Sequence, residues 1–542
     1  MMDFIRKLPI GVQSFKVIHN DNYLYADKTE YVYKLASTGR VYFLSRPRRF
    51  GKSLFLSTLE AYFLGQKELF KGLAIENLEE AEKEKREIWQ EYPVLYLDFN
   101  LAKYETREDL ESVLNNHLCR WEEVYGNSNS ENTVAERFFG IIHRAYKKTG
   151  RQAVILIDEY DKPLLHTMWK DAALNETYKT ILKGFFGVIK TADQAIRFAF
   201  LTGVTKFSKV SIFSDLNNLN DISLLPQFSG ICGISQKELS STFEPEIRAL
   251  ADANGLSYDE CIKTLKQKYD GYCFSPDTER MYNPFSLLNV FFGNQFDYYW
   301  FATGTPTFLV NALKKEDFHI PNLDGNVEMT SAGLSDYRAG AGSEIPVLFQ
   351  AGYLTIKGYD KLLQLYRLGF PNDEVRYGFL YNLFPSYCNV VYAEGPFCIA
   401  QFYRDIIAGR IEEFMQRLKS IMAALPYDNI KKDSGESIVL REHNFQICVY
   451  LVFALLGQFI ELETPVSNGR TDAVIKTETA IYIFEFKLKE SAEAALKQIK
   501  EKNYAEKYRA ENKNIVLIGV SFDAEEKTVK EWLIEEVSTH AL

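Results

Sequence analysis

An apolar run that leads directly into a Gly-Lys-Ser sequence constrains the fold of this chain more than any other feature. Val41 to Leu44 has the apolar, β-prone composition of a buried strand, and the segment from Ser45 to Ser53 follows it as a loop. Apolar residues from Leu54 to Phe63 then recur at helical spacing. A strand, a loop and a helix in this order predict a phosphate-binding turn, where backbone amides and the helix N-terminus face the phosphates.

Individual residues of this loop have the chemistry that a nucleotide site needs. We expect Lys52 to reach the outer phosphates of ATP and the Ser53 hydroxyl to ligate Mg²⁺. Gly51 precedes them, and Arg46 and Arg49 add positive charge to the loop. Arg46 stands where the strict form of the motif has its first glycine, so the spacing departs from that form. These five residues are the predicted nucleotide contacts of the loop.

A second apolar run ends in two carboxylates about a hundred residues later. Ala153 to Ile157 reads as a buried strand, and Asp158 and Glu159 follow it directly. The pattern resembles a Walker B element, in which Asp158 would hold Mg²⁺ through water and Glu159 would activate the attacking water. The alternative is an ordinary helix start, where acidic residues are favourable. Two motifs in the expected order favour the ATPase interpretation.

The C-terminal part carries a different set of polar residues. Asp472 precedes Glu485-Phe486-Lys487 at the spacing of a hairpin, and Asn468-Gly469 suits a tight turn between Glu461–Val466 and Arg470–Lys476. On a strand from Ala480 to Leu488, Glu485 and Lys487 would share one face.

Two carboxylates are ligands suited to Mg²⁺, and an adjacent lysine can stabilise charge on a phosphodiester. The alternative is an exposed ion pair on an edge strand. The hairpin, Asp472 and the helix that follows favour a metal site with Mg²⁺ or Mn²⁺.

Together these residues resemble the PD-(D/E)XK nuclease superfamily, in the version that follows an AAA-like ATPase in bacterial proteins. The resemblance implies a core of a helix, three strands, a helix and a strand. The helices would be Arg441 to Leu456 and Ser491 to Tyr508, and the last strand would be Ile515 to Phe522. Gln498 and Tyr504, further along the chain, also contribute to the resemblance. The family uses the position of Gln498 in the active site, although Gln498 could equally be a surface glutamine. Glu442 is a candidate metal ligand, or else a solvated residue in a helical first turn.

The resemblance to the AAA-like ATPase family assigns one further position. A strand from Arg197 to Leu201 ends at Thr202, which occupies the sensor position beside the γ-phosphate. Lys206 could contact phosphate as well, but a solvated side chain is the simpler interpretation.

The predicted fold class is α/β. Residues 1–220 would form the parallel sheet of a P-loop ATPase, and residues 221–370 a mostly helical lid. Residues 371–430 would connect these to an α/β restriction-endonuclease-like domain at 431–542. Asn283-Pro284 marks the start of a helix in the lid. A further helix is predicted over residues 397–424 of the connector.

Composition narrows the class of protein. The chain has 542 residues, 46% hydrophobic and 25% charged, which fits a globular protein of about three domains. Seven scattered cysteines lack any Cys-x-x-Cys pair, so we expect reduced thiols and a cytoplasmic location. The longest apolar run, Ile447 to Gly457, is too short to span a membrane and fits a buried helix.

The net charge of −10 argues against broad adhesion to nucleic acid. Between Lys487 and Lys513, however, basic residues outnumber acidic ones, which would suit a nucleic-acid backbone or simply a solvated helix.

Two functions follow from these patterns. The first is an ATP-regulated, Mg²⁺-dependent nuclease acting on DNA or RNA. The second is an ATP-driven switch or scaffold whose nuclease-like module binds nucleic acid or a partner without cutting. Three intact polar residues at the C-terminal site favour the first. A homo-oligomer is compatible with the sequence, which does not fix the number of subunits.

Overall fold

The structure is a computed structural model that divides the chain into two compact units. The first comprises Met1–Thr303 and Gly325–Val375, and the second comprises Gly304–Asp324 and Arg376–Leu542. The residues that the structure describes are 6–168, 170–206, 213, 216, 218–300, 313, 318–335, 344–388, 390–423, 437–463, 473–488, 490–523 and 528–537.

A parallel five-stranded sheet organises the first unit. Its strands are β1 (Val41–Ser45), β2 (Val94–Asp98), β3 (Ala153–Asp158), β4 (Ile196–Gly203) and β5 (Asn220–Asp221). Their order is β2-β3-β4-β1-β5, and all neighbouring pairs are parallel. The α/β fold class with a parallel P-loop sheet is therefore confirmed. The order places β4 between the strand that leads into the Gly-Lys-Ser loop and the strand that ends in the carboxylates.

Aromatic side chains fill much of the core around this sheet. Helix α3 (Lys52–Phe63) covers β4, with the ring of Phe55 5.9 Å from that of Phe200 and the ring of Phe63 4.8 Å from that of Phe198. The helices of this part are α1 (Phe15–Asn20), α2 (Thr29–Thr38), α3 (Lys52–Phe63), α4 (Ala74–Glu80), α5 (Arg107–Tyr125), α6 (Val134–Thr149), α7 (Lys162–Thr167) and α8 (Ala172–Thr191). Short 3₁₀ turns lie at Lys67–Phe70, Phe99–Leu101, Asp193–Ala195 and Pro226–Phe228.

The rest of the first unit is largely helical, with short strands between the helices. Asn283 caps the helix α12 (Pro284–Gly293) by accepting hydrogen bonds from two backbone amides, which confirms the predicted start of that helix. The helices are α9 (Gln236–Thr242), α10 (Glu244–Ala253), α11 (Tyr258–Tyr269), α12 (Pro284–Gly293), α13 (Ser331–Ser335) and α14 (Ile345–Ala351). The strands are β6 (Ile234–Ser235), β7 (Met281–Tyr282), β8 (Val327–Thr330), β9 (Thr355–Asp360) and β10 (Leu365–Gly369).

One buried carboxylate in the first unit titrates unusually. Glu374, in the first turn of α15 (Asp373–Cys388), has a relative exposure of 1%. It accepts hydrogen bonds from the Ser286 hydroxyl at 2.7 Å and the Trp300 amide at 2.9 Å. Burial raises its pKa to about 7, because the ionised form loses hydration that these donors only partly replace.

A mixed five-stranded sheet organises the second unit. Its strands are β11 (Glu461–Glu463), β12 (Ala473–Lys476), β13 (Ala480–Lys487), β14 (Asn514–Asp523) and β15 (Thr528–Val537), in that order across the sheet. The pair β13–β14 is parallel and the other pairs are antiparallel. The helices are α16 (Gly395–Ile407), α17 (Ile411–Ala423), α18 (Ser437–Leu456) and α19 (Ala492–Glu501), with 3₁₀ turns at Ile320–Leu323, Tyr392–Glu394 and Glu506–Glu511.

The order of elements predicted for the C-terminal module is confirmed, whereas several helix bounds were wrong. The single helix expected over residues 397–424 is the pair α16 and α17, because the chain turns at Gly409 with a φ of +70°. The helix expected over residues 491–508 stops at Glu501, and Asn503 follows with a φ of +53°. Strand β15 was not predicted.

The predicted hairpin has the expected register in its described part. Glu461 pairs with Lys476, and these two residues lie equally far from the Asn468-Gly469 dipeptide. The dipeptide itself lies outside the described residues. The apolar run that begins at Ile447 lies in α18 and is buried, as predicted. No helix in the described part of the chain has the length and apolar character needed to span a bilayer.

Candidate functional site

The loop between β1 and α3 encloses the lysine of the Gly-Lys-Ser sequence. Arg49 and Gly51 have φ values of +67° and +89°, so the backbone turns sharply before α3 begins. Lys52 is only 4% exposed, and its ammonium donates hydrogen bonds to the carbonyl oxygens of Arg46 and Pro47, both at 3.0 Å. A phosphate group that enters the site can replace these two carbonyl oxygens as the acceptor of hydrogen bonds from the Lys52 ammonium.

Charged neighbours and burial act on this lysine in opposite directions. Burial lowers the pKa of Lys52, while the carboxylates of Glu159 and Asp158 favour its charged form. The two carboxylates therefore help to keep the buried Lys52 ammonium charged, and a charged ammonium can bind a phosphate group.

An apolar cavity of about 360 Å³ opens beside this loop. Gly51, Lys52, Ser53 and Glu159 line one end of it. The other walls come from the N-terminal segment and from the helical part of the first unit, and include Pro9, Ile10, Leu24, Tyr25, Ile234, Phe243, Phe285 and Leu288. The cavity therefore combines polar and charged lining residues with apolar ones, as a site for a nucleotide would.

The two arginines predicted to contact nucleotide have different environments. Arg49 lines the cavity, with its guanidinium 3.9 Å from the ring centre of Phe285. Its Nη1 atom is buried and has no hydrogen-bond partner among the described residues. A ligand in the cavity is a candidate partner for that nitrogen.

Arg46, in contrast, acts as an internal brace. It is 1% exposed, and it donates to the carbonyl oxygens of Ser223 at 2.7 Å and Phe228 at 3.0 Å. Its guanidinium also lies 4.0 Å from the ring centre of Phe274. Burial lowers the pKa of Arg46 to about 10. Both terminal nitrogens of Arg46 thus bind backbone oxygens, which favours a structural role, and its assignment as a nucleotide contact stays a prediction.

The carboxylates after β3 meet the predicted sensor residue on β4. Asp158 is 2% exposed, and the Thr202 hydroxyl donates to its Oδ1 at 2.6 Å. Glu159 has a φ of +50° and lies at the cavity with Lys52. Burial raises the pKa of Glu159, which makes its carboxylate a better proton acceptor.

Lys206 has a partner that the sequence did not indicate. Its ammonium forms an ion pair with Asp221 on β5, and its backbone amide donates to Gln350 at 2.9 Å. Lys206 therefore anchors the segment after β4 and is not a fully solvated side chain, whereas its contact with phosphate stays a prediction.

The second unit brings together three of the polar residues predicted at its active site. Glu485, on β13, is 3% exposed and accepts a hydrogen bond from the Gln498 amide on α19. The Lys487 ammonium donates to Gln498 Oε1 at 2.6 Å and lies 3.6 Å from Glu485 Oε1. Gln498 thus bridges the acid and the lysine.

The alternation of β13 explains why these residues meet. Ile481 and Ile483 precede Glu485 on the same face and belong to an apolar cluster with residues of α19. Phe484 points to the other face, where its ring lies 5.1 Å from that of Phe453 on α18. Both faces are therefore covered, and Glu485 is buried at the end of one of them.

Two predicted metal ligands remain predictions. Asp472 lies outside the described residues. The described pairing of β12 with β13 begins at Ala473, which lies opposite Phe484. Ala473 directly follows Asp472 in the chain, and Phe484 directly precedes Glu485. Glu442 lies within α18, and its assignment as a ligand also stays a prediction.

The structure describes Tyr504 and most of the basic residues between Lys487 and Lys513, which could bind a nucleic-acid backbone or form a solvated surface. Tyr504 packs against the apolar cluster formed by β13, β14 and α19. Among the basic residues of this segment, Lys500 pairs with Glu535 at 2.6 Å and Arg509 with Glu506 at 3.0 Å. These pairs favour the interpretation of a solvated surface with mixed charges.

The donor sets of both sites suit a divalent cation. The first site offers the buried Asp158 carboxylate and the Ser53 hydroxyl, and the second offers the buried Glu485 carboxylate, which are oxygen ligands of the kind Mg²⁺ prefers. Within the described ranges, no group of three or more His, Cys, Asp or Glu residues could hold a metal ion.

Comparisons with known proteins agree with the two-part organisation. A family model described as "Predicted AAA-ATPase" matches residues 9–213, and the model of the PD-(D/E)XK nuclease superfamily matches residues 440–532. A protein of Azotobacter chroococcum mcd 1, described as an uncharacterized protein in the vnfD 5′ region, is 36% identical over 542 residues. The similarity covers 98% of this chain and 99% of that protein. This chain therefore belongs to the family of AAA-ATPase-like proteins that carry a C-terminal domain of the PD-(D/E)XK nuclease superfamily.

Proposed function

We propose that the first unit binds and hydrolyses ATP. The observation that carries this proposal is the meeting of Lys52, Ser53 and Glu159 at the polar end of one cavity. The apolar end has walls that suit a nucleobase, and Arg49 has a buried donor to offer to the ligand.

Each polar residue has a task in this reaction. The Lys52 ammonium exchanges its two backbone carbonyl partners for the outer phosphates. Ser53 and Asp158 would hold Mg²⁺, which neutralises charge that builds up on the phosphates. Glu159 accepts a proton from the attacking water, and its raised pKa suits this role. The Thr202 hydroxyl fixes the orientation of Asp158.

Two substitutions separate binding from hydrolysis. Lys52→Ala should abolish ATP binding, because it removes the charge that faces the phosphates. Glu159→Gln should leave binding largely intact and slow hydrolysis, because the amide cannot accept the proton. Lys179→Ala is a matched control, since Lys179 pairs with Glu176 within α8. Equal ATP turnover in the wild type and in both site variants would refute the ATPase proposal.

We further propose that the second unit cleaves phosphodiester bonds in DNA or RNA. The buried Glu485, joined to Lys487 through Gln498, is the observation that carries this proposal. Glu485 and Asp472 would hold Mg²⁺ or Mn²⁺, which acidifies a bound water. Lys487 stabilises the negative charge that develops on the phosphate.

Variants of these residues distinguish a nuclease from a scaffold. Alanine at Asp472 or Glu485 should remove metal-dependent cleavage, whereas Lys487→Ala should keep metal binding and lose rate. Lys500→Ala is the matched control, because Lys500 is half-exposed and pairs with Glu535. If neither DNA nor RNA is cleaved, and Asp472→Ala behaves as the wild type does, the scaffold function replaces the nuclease.

ATP would regulate the nuclease in the complete protein. Cleavage should be measured with ATP, with a non-hydrolysable analogue and without nucleotide, in the wild type and in Lys52→Ala. A difference among these conditions that disappears in Lys52→Ala supports coupling between the two sites. Identical rates throughout would show two independent activities on one chain.

We also propose a cytoplasmic location and leave self-association as an expectation to be measured by light scattering. All seven cysteines are free thiols, which suits a reducing compartment.

A further inference from the structure

A second buried carboxylate lies in the turn after β3, three residues beyond Asp158. Asp161 is 1% exposed, and its Oδ2 accepts three hydrogen bonds. The donors are the Val204 amide at 3.0 Å, the Thr205 amide at 2.6 Å and the Thr205 hydroxyl at 2.7 Å. All three belong to the segment that follows β4. Asp161 therefore ties the turn after one strand to the turn after its neighbour.

The simplest role for an aspartate at this position is to cap a helix, and the geometry argues against it. Asp161 is the residue immediately before α7, but its side chain makes no capping hydrogen bond to that helix. The carboxylate faces the segment after β4 instead. Burying a carboxylate is costly, and here the cost is offset by three donors that all belong to one segment. The carboxylate therefore holds that segment in one position.

Two neighbours complete the connection. The Tyr160 hydroxyl donates to the Thr205 carbonyl oxygen at 3.0 Å, and the Tyr160 amide donates to the Thr202 carbonyl oxygen at 3.1 Å. Gly203 leaves the space that the contact needs. A Cβ atom there would lie 2.8 Å from Asp161 Oδ1 and 2.6 Å from Tyr160 Cε1.

The segment held in this way lies directly after Thr202, the β4 residue that contacts Asp158. Thr202 donates its hydroxyl to Asp158, and the Glu159 amide lies 3.4 Å from the same hydroxyl oxygen. A shift of the segment after β4 would therefore move Thr202 and, with it, Asp158 and the cavity-lining Glu159.

We propose that Asp161 is a positioning residue of the ATP site, which holds the segment from Gly203 to Thr205 so that Thr202 and Glu159 keep their places for hydrolysis. The proposal rests on the ATPase function proposed above. It assigns Asp161 no contact with nucleotide. Its loss should therefore lower kcat and leave the affinity for ATP unchanged.

Three substitutions in the full-length protein test this role. Asp161→Ala removes all three hydrogen bonds and should lower kcat by between about tenfold and about a hundredfold, the range expected for a misplaced catalytic group. Asp161→Asn keeps an acceptor oxygen and should recover most of that loss. Thr205→Val removes one hydrogen bond and should have a smaller effect. Binding of a fluorescent ATP analogue should change by less than about twofold in each variant.

Asp193→Ala is the control, because Asp193 is a half-exposed aspartate of the same unit that pairs with Arg40. Asp193→Ala should change neither kcat nor the affinity for ATP. A kcat of Asp161→Ala within about twofold of the wild type, or a parallel loss of ATP affinity, would overturn the proposal. If Asp161→Ala does not fold, Thr205→Val decides. A lowered kcat at unchanged affinity supports the role, and an unchanged kcat refutes it.

The wild type and Glu159→Gln are measured in the same experiment. No turnover in the wild type would overturn the ATPase function and this inference together. Turnover that falls in Glu159→Gln but not in the Asp161 and Thr205 variants would overturn this inference alone.

Discussion

The buried Glu374 makes the stability of the first unit depend on pH. Burial raises its pKa from the ordinary value of 4.5 to about 7, so the folded state binds the proton more tightly than the unfolded state does. The resulting stabilisation is fully present below the unfolded pKa and is lost as pH rises through the folded pKa. We therefore expect the first unit to lose stability between weakly acidic and weakly basic pH.

The size of the effect follows from the two pKa values. Their separation corresponds to about 3 kcal/mol in all, at about 1.4 kcal/mol for each unit of pKa. Between about pH 5.5 and about pH 8, the contribution of Glu374 to the free energy of unfolding should fall by about 2 kcal/mol. Glu374→Gln has no carboxyl group to titrate. Over the same pH range, its free energy of unfolding should therefore fall by about 2 kcal/mol less than that of the wild type.

Urea unfolding of both proteins at the two pH values measures this difference. Glu260→Gln is the control, because hydrogen bonds from Ser257 lower the pKa of Glu260 and leave it ionised at both pH values. That control should follow the wild-type pH dependence. If the free energy of unfolding changes equally with pH in the wild type and in Glu374→Gln, the reasoning is refuted.

Three further substitutions test contacts at the two sites. Thr202→Val should slow ATP hydrolysis and destabilise the first unit by about 1.5 to 3 kcal/mol, because Asp158 loses a charge-assisted hydrogen bond; turnover and urea unfolding measure this. Gly203→Ala should lower the stability of the first unit by at least about 1 kcal/mol, because the new Cβ would lie 2.6 Å from the Tyr160 ring, and thermal unfolding measures this. Gln498→Ala should lower the melting temperature of the second unit in EDTA, because a buried carboxylate loses its amide donor, and Mn²⁺ should recover part of the loss.

The sequence determined the local features of both sites. The β-prone run before the Gly-Lys-Ser loop, the buried strand before Asp158 and the helix start at Asn283 depend on neighbours in the chain, and they are found where the patterns predicted them. The strand period of two likewise placed Glu485 and Lys487 on one face of β13. Patterns of this kind are set by backbone geometry, so a sequence reveals them without knowledge of the fold.

The tertiary structure decided which partners those side chains have. Asp161 could have capped α7 and Arg46 could have faced a phosphate, but each is hydrogen-bonded to segments far away in the chain. The bridge of Gln498 between an acid and a lysine likewise depends on how α19 packs against β13. A buried polar group binds whichever donor or acceptor the fold brings within about 3 Å, and strand order and helix packing determine which one that is. Local sequence patterns do not contain that information.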